Sequence, residues 1–386
     1  MEPTEFSRQA PGRLVDLLGT FAFVPDNLPP PIEIPIEVWK ANDSARGKLG
    51  ELAGQARVVS NLAYIIRPLA LREAVLSNKI EGTHTHIADV LKQEAGLRKI
   101  GVTQGEDSAN ATEALRSYQA LNEAVSAISR GQPLSQFLIR SLQAMVVKDS
   151  RGRDKHPGEL RNVPVFIGHE ASGIENARFV PPPHEQVITS LENLEAFITG
   201  QPIFSPLVDC AIQHYQFETI HPFEDGNGRV GRLLIPLYLV EKGVLERPVL
   251  YMSEYFEQHD DEYRHLLKRV STEGDWSSWL LFFLEGVEQQ AGSSRGRIER
   301  VLRLHQDFEE TVRRKIKTKV PLATVDLLMQ QPIITIPAVQ HHANCAYNTA
   351  RNAIEQLVKL EILMPIPDLY PQAWVSPGLM AEVYEA

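Results

Sequence analysis

Apolar positions recur every three or four residues along most of this 386-residue chain, and that spacing predicts a mainly α-helical protein. Val38, Ala41, Ala45, Leu49 and Leu52 mark a helix from Ile36 to Gly54. Ala74, Leu76 and Ile80 mark another, ending at Gly82, a residue suited to the left-handed C′ position. Leu115, Tyr118, Leu121, Val125 and Ile128 step the same way before Gly131-Gln132-Pro133, and Leu138, Leu142, Met145 and Val146 after it. Val187, Leu191, Leu194 and Ile198 give a further scaffold helix. Ser205-Pro206 reads as an N-cap with a first-turn proline, and Val208, Ala211, Ile212, Tyr215 and Thr219 follow at helical spacing. Leu233, Leu234, Leu237 and Leu239 lie on the next helix, which stops at Lys242-Gly243. Tyr263, Leu267 and Val270, then Trp276, Trp279, Phe282 and Phe283, continue the pattern. The faces over 115–128 and 138–146 are read as core.

Elsewhere the period breaks. Residues 1–45 read as an irregular lead-in, with a short helix or turn at Leu14, Val15, Leu17 and Leu18. Pro25, Pro29, Pro30, Pro31 and Pro35 then keep the chain extended as a strap. Arg161 to Gly168 and Arg178 to Val180 flank a turn-rich loop and predict a β-hairpin before Pro181-Pro182-Pro183. After Gly292-Ser293-Ser294 the pattern becomes a long charged helix that ends in the basic run Arg313 to Lys319. From Pro321 onward three helices are expected, the third from Tyr347 to Leu360. Met364 to Pro367 and Ala373 to Val375 then pair as a small wing.

Charge and composition narrow the partners. A net charge of −10 argues against nucleic acid as the main partner. Cys210 and Cys345 are far apart and form no metal-ligand pattern, consistent with a reduced compartment. The first residues lack the basic flank and apolar core of a signal peptide. The longest apolar run, Leu233 to Val240, is too short to span a membrane and contains Pro236. A cytoplasmic protein with no membrane partner is expected. His84 and His86 are read as surface residues, because two histidines on a loop are not a zinc signature.

The chemistry concentrates in His221-Pro222-Phe223-Glu224-Asp225-Gly226-Asn227-Gly228-Arg229-Val230-Gly231-Arg232. Gly226, Asn227 and Gly228 stand where a helix begins and can turn successive backbone N–H groups toward a phosphate. Arg229 and Arg232 are three apart, on neighbouring faces of the first turn. Asp225 offers hard oxygen to a magnesium ion carrying phosphates. His221, at the mouth, has a reference pKa suited to proton abstraction near neutrality. Upstream, Ser77 and Glu81 share one face of the helix that ends at Gly82. A carboxylate at a helix C-terminus is unfavourable for the dipole and calls for a cationic partner.

The 221–232 run resembles the signature of the Fic family, H-P-F-x-D/E-G-N-G-R-x-x-R, with every specified position filled. Ser77-x-x-x-Glu81-Gly82 resembles that family's inhibitory helix, and His156 to Arg161 its lead-in to a flap over the active site. The resemblance implies a helical bundle with a β-hairpin flap, followed by a part similar to a winged helix-turn-helix domain. The expected divisions are 1–105 (N-terminal region, inhibitory helix at about 70–82), 106–292 (catalytic core), 293–320 (linker helix) and 321–386 (winged helix). The tail carries only Arg351 and Lys359 against six carboxylates, so protein contacts or dimerisation are favoured there over DNA binding.

The same resemblance implies a protein adenylyltransferase using ATP and Mg²⁺. Asp225 would hold the metal; Gly226, Asn227, Gly228, Arg229 and Arg232 the phosphates; Gln258 and Tyr263 the adenosine. Many members have a tyrosine pair where this chain has Tyr263-Arg264. His221 would take the proton from a Tyr, Thr or Ser hydroxyl of a target docked on the flap at 161–180. Glu81 would salt-bridge Arg232 in place of the ATP γ-phosphate and hold the enzyme auto-inhibited. Two other readings stand beside it: removal of AMP by the Glu81-bearing site, and a DNA-binding regulator with a nucleotide-sensing Fic-like domain.

Overall fold

A computed structural model describes residues 1–385 except 18, 60, 62, 100–105, 149–154 and 169–172. Near its start lies an antiparallel hairpin, β1 (Gly12–Leu17) and β2 (Thr20–Pro25), in register from Gly12↔Pro25 to Leu17↔Thr20. The helix or turn expected over Leu14, Val15 and Leu17 is therefore a strand; Leu18 lies outside the described residues. Packing decides this. The Phe23 ring lies 5.5 Å from Phe6 and 5.9 Å from Phe179, and its N–H bonds Val180 O. The proline-rich strap follows. Asn193 bonds both backbone groups of Leu28, and Gln216 donates to Asp26 O at 3.0 Å.

The bundle comprises α1 (Ile36–Val58), α2 (Ala63–Ile80) and α3 (Ile87–Glu94), a two-residue strand β3 (Arg98–Lys99), then α4 (Glu106–Ser129) and α5 (Gln136–Val146). It continues with α6 (His184–Thr199), α7 (Pro206–Ile220), α8 (Asn227–Glu241), α9 (Ser253–Gln258), α10 (Asp260–Glu273) and α11 (Trp276–Lys315). The α7–α8 pair is the centre. α6 and α11 pack on α7, α4 and α5 on α8, so both central helices are buried nearly all round. That is why neither sequence shows a single apolar stripe, and why polar residues such as Gln213 and His214 of α7 and Arg232 of α8 are buried too.

One expectation fails here. No strand forms at 161–180 among the described residues; one bridge, Ile167↔Phe179, closes the segment, and a 3-10 turn covers Ile174–Asn176. The Arg161 N–H goes to Pro222 O instead of across a hairpin, and Pro164 has no N–H to give. The 292/293 division falls inside the 40-residue α11. Ser294, Arg297, Ile298 and Val301 remain buried beyond it, so the helix still packs where its composition turns polar.

The C-terminal unit has α12 (Val320–Gln330), β4 (Ile333–Thr335), α13 (Ile336–Ala343), α14 (Tyr347–Lys359), β5 (Met364–Ile366), β6 (Leu369–Tyr370) and β7 (Ala373–Val375). Its antiparallel sheet runs β4-β7-β5, while β6 pairs with β3 of the N-terminal region. Arg72 of α2 donates to Tyr384 O at 2.9 Å, and Tyr64 OH to Asp326 at 3.0 Å. The C-terminal unit is thereby tied to α2 of the bundle. No helix among the described residues is long and apolar enough to cross a membrane.

Candidate functional site

The loop between α7 and α8 is held from three sides. Phe223 is fully buried, and Asn227 folds back to bond both its N–H (2.9 Å) and its carbonyl (2.8 Å). From α5, Gln143 donates to Asp225 O at 2.9 Å and accepts from Gly158 N–H at 2.6 Å. Arg161, 3% exposed, donates to His221 O (2.7 Å), Pro182 O (2.6 Å) and Ile220 O (3.2 Å). It thus satisfies carbonyls that the end of α7 leaves without partners. Burial lowers its pKa to about 10. Sequence reading assigned neither Gln143 nor Arg161 to the site. Each reaches it from a segment remote in the chain.

His221 terminates α7 in the left-handed region, φ 50° and ψ 61°. A β-carbon makes this conformation unfavourable, and the Arg161 clamp helps impose it. Its Nδ1 lies 3.2 Å from the Glu218 carbonyl, an acceptor, so Nδ1 carries the hydrogen and Nε2 is left as a base. Burial, reinforced by the Arg161 charge, lowers its pKa to about 4, and the ring is neutral at neutral pH.

Gly226, at φ 82°, caps α8, a geometry that favours glycine. A Cβ at Gly228 would overlap Glu81 Oε1, so the Glu81 carboxylate lies directly against the first turn of α8. Such a position favours an anion. Arg232 Nη2 donates to Glu81 Oε1 at 2.7 Å and to Ser77 O at 2.9 Å, and Nε donates to Ser77 Oγ at 2.9 Å. Arg232 is 2% exposed and the Glu81 side chain 39%. Burial opposes charge on Glu81, but Arg232 outweighs it and holds the carboxyl below its ordinary pKa. Arg229 reaches Asp225 at 3.1 Å and Glu113 of α4 at 3.6 Å. Glu113 also accepts from Thr83 Oγ1, and sequence reading missed it. Glu218 lies under Gly231, where a Cβ would overlap its Oε1.

Ser77, Glu81, His221 and the 225–232 residues therefore converge on one place. Gln258 and Tyr263 do not join them by hydrogen bonds among the described residues. Gln258 ends α9, exposed. Tyr263, expected to contact adenosine, is 4% exposed, bonded to His214 Nε2 at 2.8 Å and stacked on Phe256 at 4.4 Å. It is a core side chain, because its ring completes an aromatic cluster with Trp279. The Asp225 carboxylate is 27% exposed, and one such oxygen donor suits a magnesium ion that keeps waters and substrate phosphates as its other ligands. A separate His305, Glu309 and Asp326 group, with donor atoms within 4.8 Å of one another, lies on α11 and α12.

Two sequence profiles match the chain: one described as the Fic/DOC family over residues 133–239, the other as the Fic/DOC family N-terminal part over 39–126. A probable protein adenylyltransferase of Aquifex aeolicus is 38% identical over 84 residues, 22% of this chain and 26% of the relative. The protein adenylyltransferase Fic of Aedes aegypti is 30% identical over 134 residues, 34% of this chain and 24% of the relative. The matches thus span about a quarter of the length of these relatives. Among solved structures, a Fic family protein from Desulfovibrio desulfuricans G20 aligns over 90% of this chain and 98% of its own, with TM-score 0.53 and 19% identity. At that identity the likeness concerns the fold.

Proposed function

Since this chain belongs to the Fic/DOC family, we propose that it is a protein adenylyltransferase, moving AMP from ATP to a Tyr, Thr or Ser hydroxyl of a target protein and restrained by its own Glu81. The observation that carries this reading is the Glu81 carboxylate on the first turn of α8, bonded to Arg232. An anion of this chain occupies a place built for an anion.

With Glu81 displaced, the terminal phosphate of ATP takes its position on Arg232. Backbone N–H groups of residues 226–228 and the Arg229 guanidinium face the phosphates nearer the sugar. Asp225 would hold Mg²⁺, which when bound neutralises phosphate charge. His221 Nε2 accepts the proton of the target hydroxyl. That oxygen bonds to the α-phosphorus as the α–β bridging bond breaks, leaving AMP on the target and pyrophosphate as leaving group. The chain's own contribution is positioning and charge stabilisation. The irregular 161–168 segment presents backbone to which a target segment can add as a strand. The C-terminal unit reads as a winged helix serving protein contacts, including self-association. Its charge of two basic against six acidic residues over 321–386 disfavours DNA.

Radiolabelled AMP incorporation tests the reading. Glu81→Gly is expected to raise labelling at least tenfold and His221→Ala, added to it, to abolish it. Unlabelled product from the Glu81→Gly protein with excess Mg²⁺ and ATP, or AMP release from labelled target by the unaltered protein as its main activity, would overturn it.

A further inference from the structure

Glu218 is a side chain that the mechanism above does not use. It sits on α7 one turn before His221, and its backbone carbonyl holds the imidazole Nδ1. Its Oε1 is buried and has no hydrogen-bond partner. A buried acceptor without a partner is costly unless the group is protonated or awaits one. Its surroundings are specific. Gly228 and Gly231 are one turn apart on α8, and a Cβ at either would overlap a carboxylate oxygen, that of Glu81 at 228 and that of Glu218 at 231. Two carboxylates therefore rest on one helix face beside the Arg232 guanidinium.

We propose that Glu218 is a proton-carrying member of the nucleotide site, taking up a proton when the tail of a nucleoside triphosphate replaces the Glu81 carboxylate. This rests on the reading of the pocket as a triphosphate site. The charges acting on Glu218 come from Arg232 on α8, Glu81 just past the end of α2 and Arg264 on α10, and the titratable Tyr263 of α10 is also coupled to it; α1, α6, α11 and β2, which also pack on α7, supply none of them. His221 and His214 share its helix, and both are held neutral by burial. Burial, with the Glu81 charge adding to it against Arg232, raises the Glu218 pKa to about 7. One carboxylate at Glu81 carries a single charge; a triphosphate tail carries more. Exchanging the first for the second strengthens the repulsion and drives the proton onto Glu218. A neutral Glu218 can then donate its O–H to a phosphate oxygen, giving the orphaned group a partner.

The sign follows from linkage: a ligand that binds with proton uptake binds less tightly as pH rises. Binding of ATP with Mg²⁺ is measured by calorimetry on Glu81→Gly/His221→Ala protein, which does not turn over, from pH 7 to 9, where the tail is fully ionised. Affinity is expected to fall by between about three- and tenfold per pH unit. Titrations at pH 7.5 in PIPES and in Tris are expected to show uptake of a fraction of a proton. Adding Glu218→Gln should flatten the slope and remove the uptake. Adding Glu73→Gln should leave both, although Glu73 of α2 also has its pKa raised to about 7 by burial. ATP binding without slope or uptake overturns this inference alone, as does a slope that Glu73→Gln removes and Glu218→Gln keeps. Absence of ATP binding at every pH overturns the nucleotide reading beneath it. The uptake measurement needs no substitution at 218 and so stands even if that variant folds poorly.

Discussion

Arg232 gives three hydrogen bonds to the end of α2 and the residue just past it, two to Ser77 and one to Glu81. Removing Glu81 thus leaves the guanidinium still pinned by Ser77. Ser77→Ala deletes one charge-assisted bond between buried groups and is expected to cost about 1–2 kcal/mol in urea unfolding. In the Glu81→Gly background it should raise KM for ATP several-fold with kcat little changed, measured from initial rates against ATP concentration. The buried histidine His214 makes a separate prediction. Its Nδ1 meets Gly231 O at 3.1 Å and burial lowers its pKa to about 3. A depressed pKa on a base favours the neutral folded form, so its contribution is complete above pH 6.5 and lost as pH falls toward 3. The loss is about 1.4 kcal/mol per unit below pH 6. Urea unfolding from pH 6 to 4 should show a steeper decline for the unaltered protein than for His214→Gln.

At the level of elements, the start of α8 has to be open on the side where an anion rests. Gly228→Ala improves helix propensity, by up to about 1 kcal/mol. Its new Cβ would also displace Glu81, as the overlap requires. If release of Glu81 were sufficient, this variant would be active. Because the same space receives the phosphate, Gly228→Ala is expected to remain folded, with a thermal midpoint below that of the parent since the Glu81–Arg232 bond is lost, and to show no AMP labelling. Labelling as strong as that of Glu81→Gly would place the phosphates elsewhere. The end of α7 makes the complementary demand. Arg161 serves two carbonyls there, of Ile220 and His221, and that of Pro182 before α6, a geometry that Lys, with a single nitrogen, does not reproduce. Arg161→Lys is expected to destabilise the fold by about 2–3 kcal/mol in urea unfolding and to lower labelling in the Glu81→Gly background.

At the scale of the molecule, α11 runs without interruption from the bundle core to the C-terminal unit. That unit packs on the bundle through buried apolar side chains, Val325, Leu328, Met380 and Val383 among them, and a few polar contacts add to this. Asp326 accepts from Tyr64 OH at 3.0 Å and meets His305 Nε2 at 3.0 Å, while β6 pairs with β3. Asp326 is 41% exposed, so its ion pair is weak, and Asp326→Ala should cost no more than about 1 kcal/mol. The effect is expected to be local: faster amide hydrogen exchange in 320–375 with little change in α7 and α8. Equal acceleration in both regions would mean that the C-terminal unit and the bundle open together.

The chain's periodicity determined the helices, because a 3.6-residue repeat of apolar side chains reports which side meets a core whatever that core is. The 221–232 run and Ser77 with Glu81 were legible for a local reason: their chemistry is written in residue type and short spacing. Partners supplied from afar were not. The β1–β2 hairpin became a strand pair only against Phe6, Phe179 and Val180, and a stretch as short as Leu14 to Leu18 does not announce its period. The 161–180 segment lost its expected strands to Pro222 and to the α7 carbonyls, which lie some 60 residues away on the chain. Arg161, Gln143, Glu113 and Glu218 acquire their roles from groups that only folding brings near. Tyr263 went to the core for the same reason, since burial is a property of the assembled structure rather than of the residue.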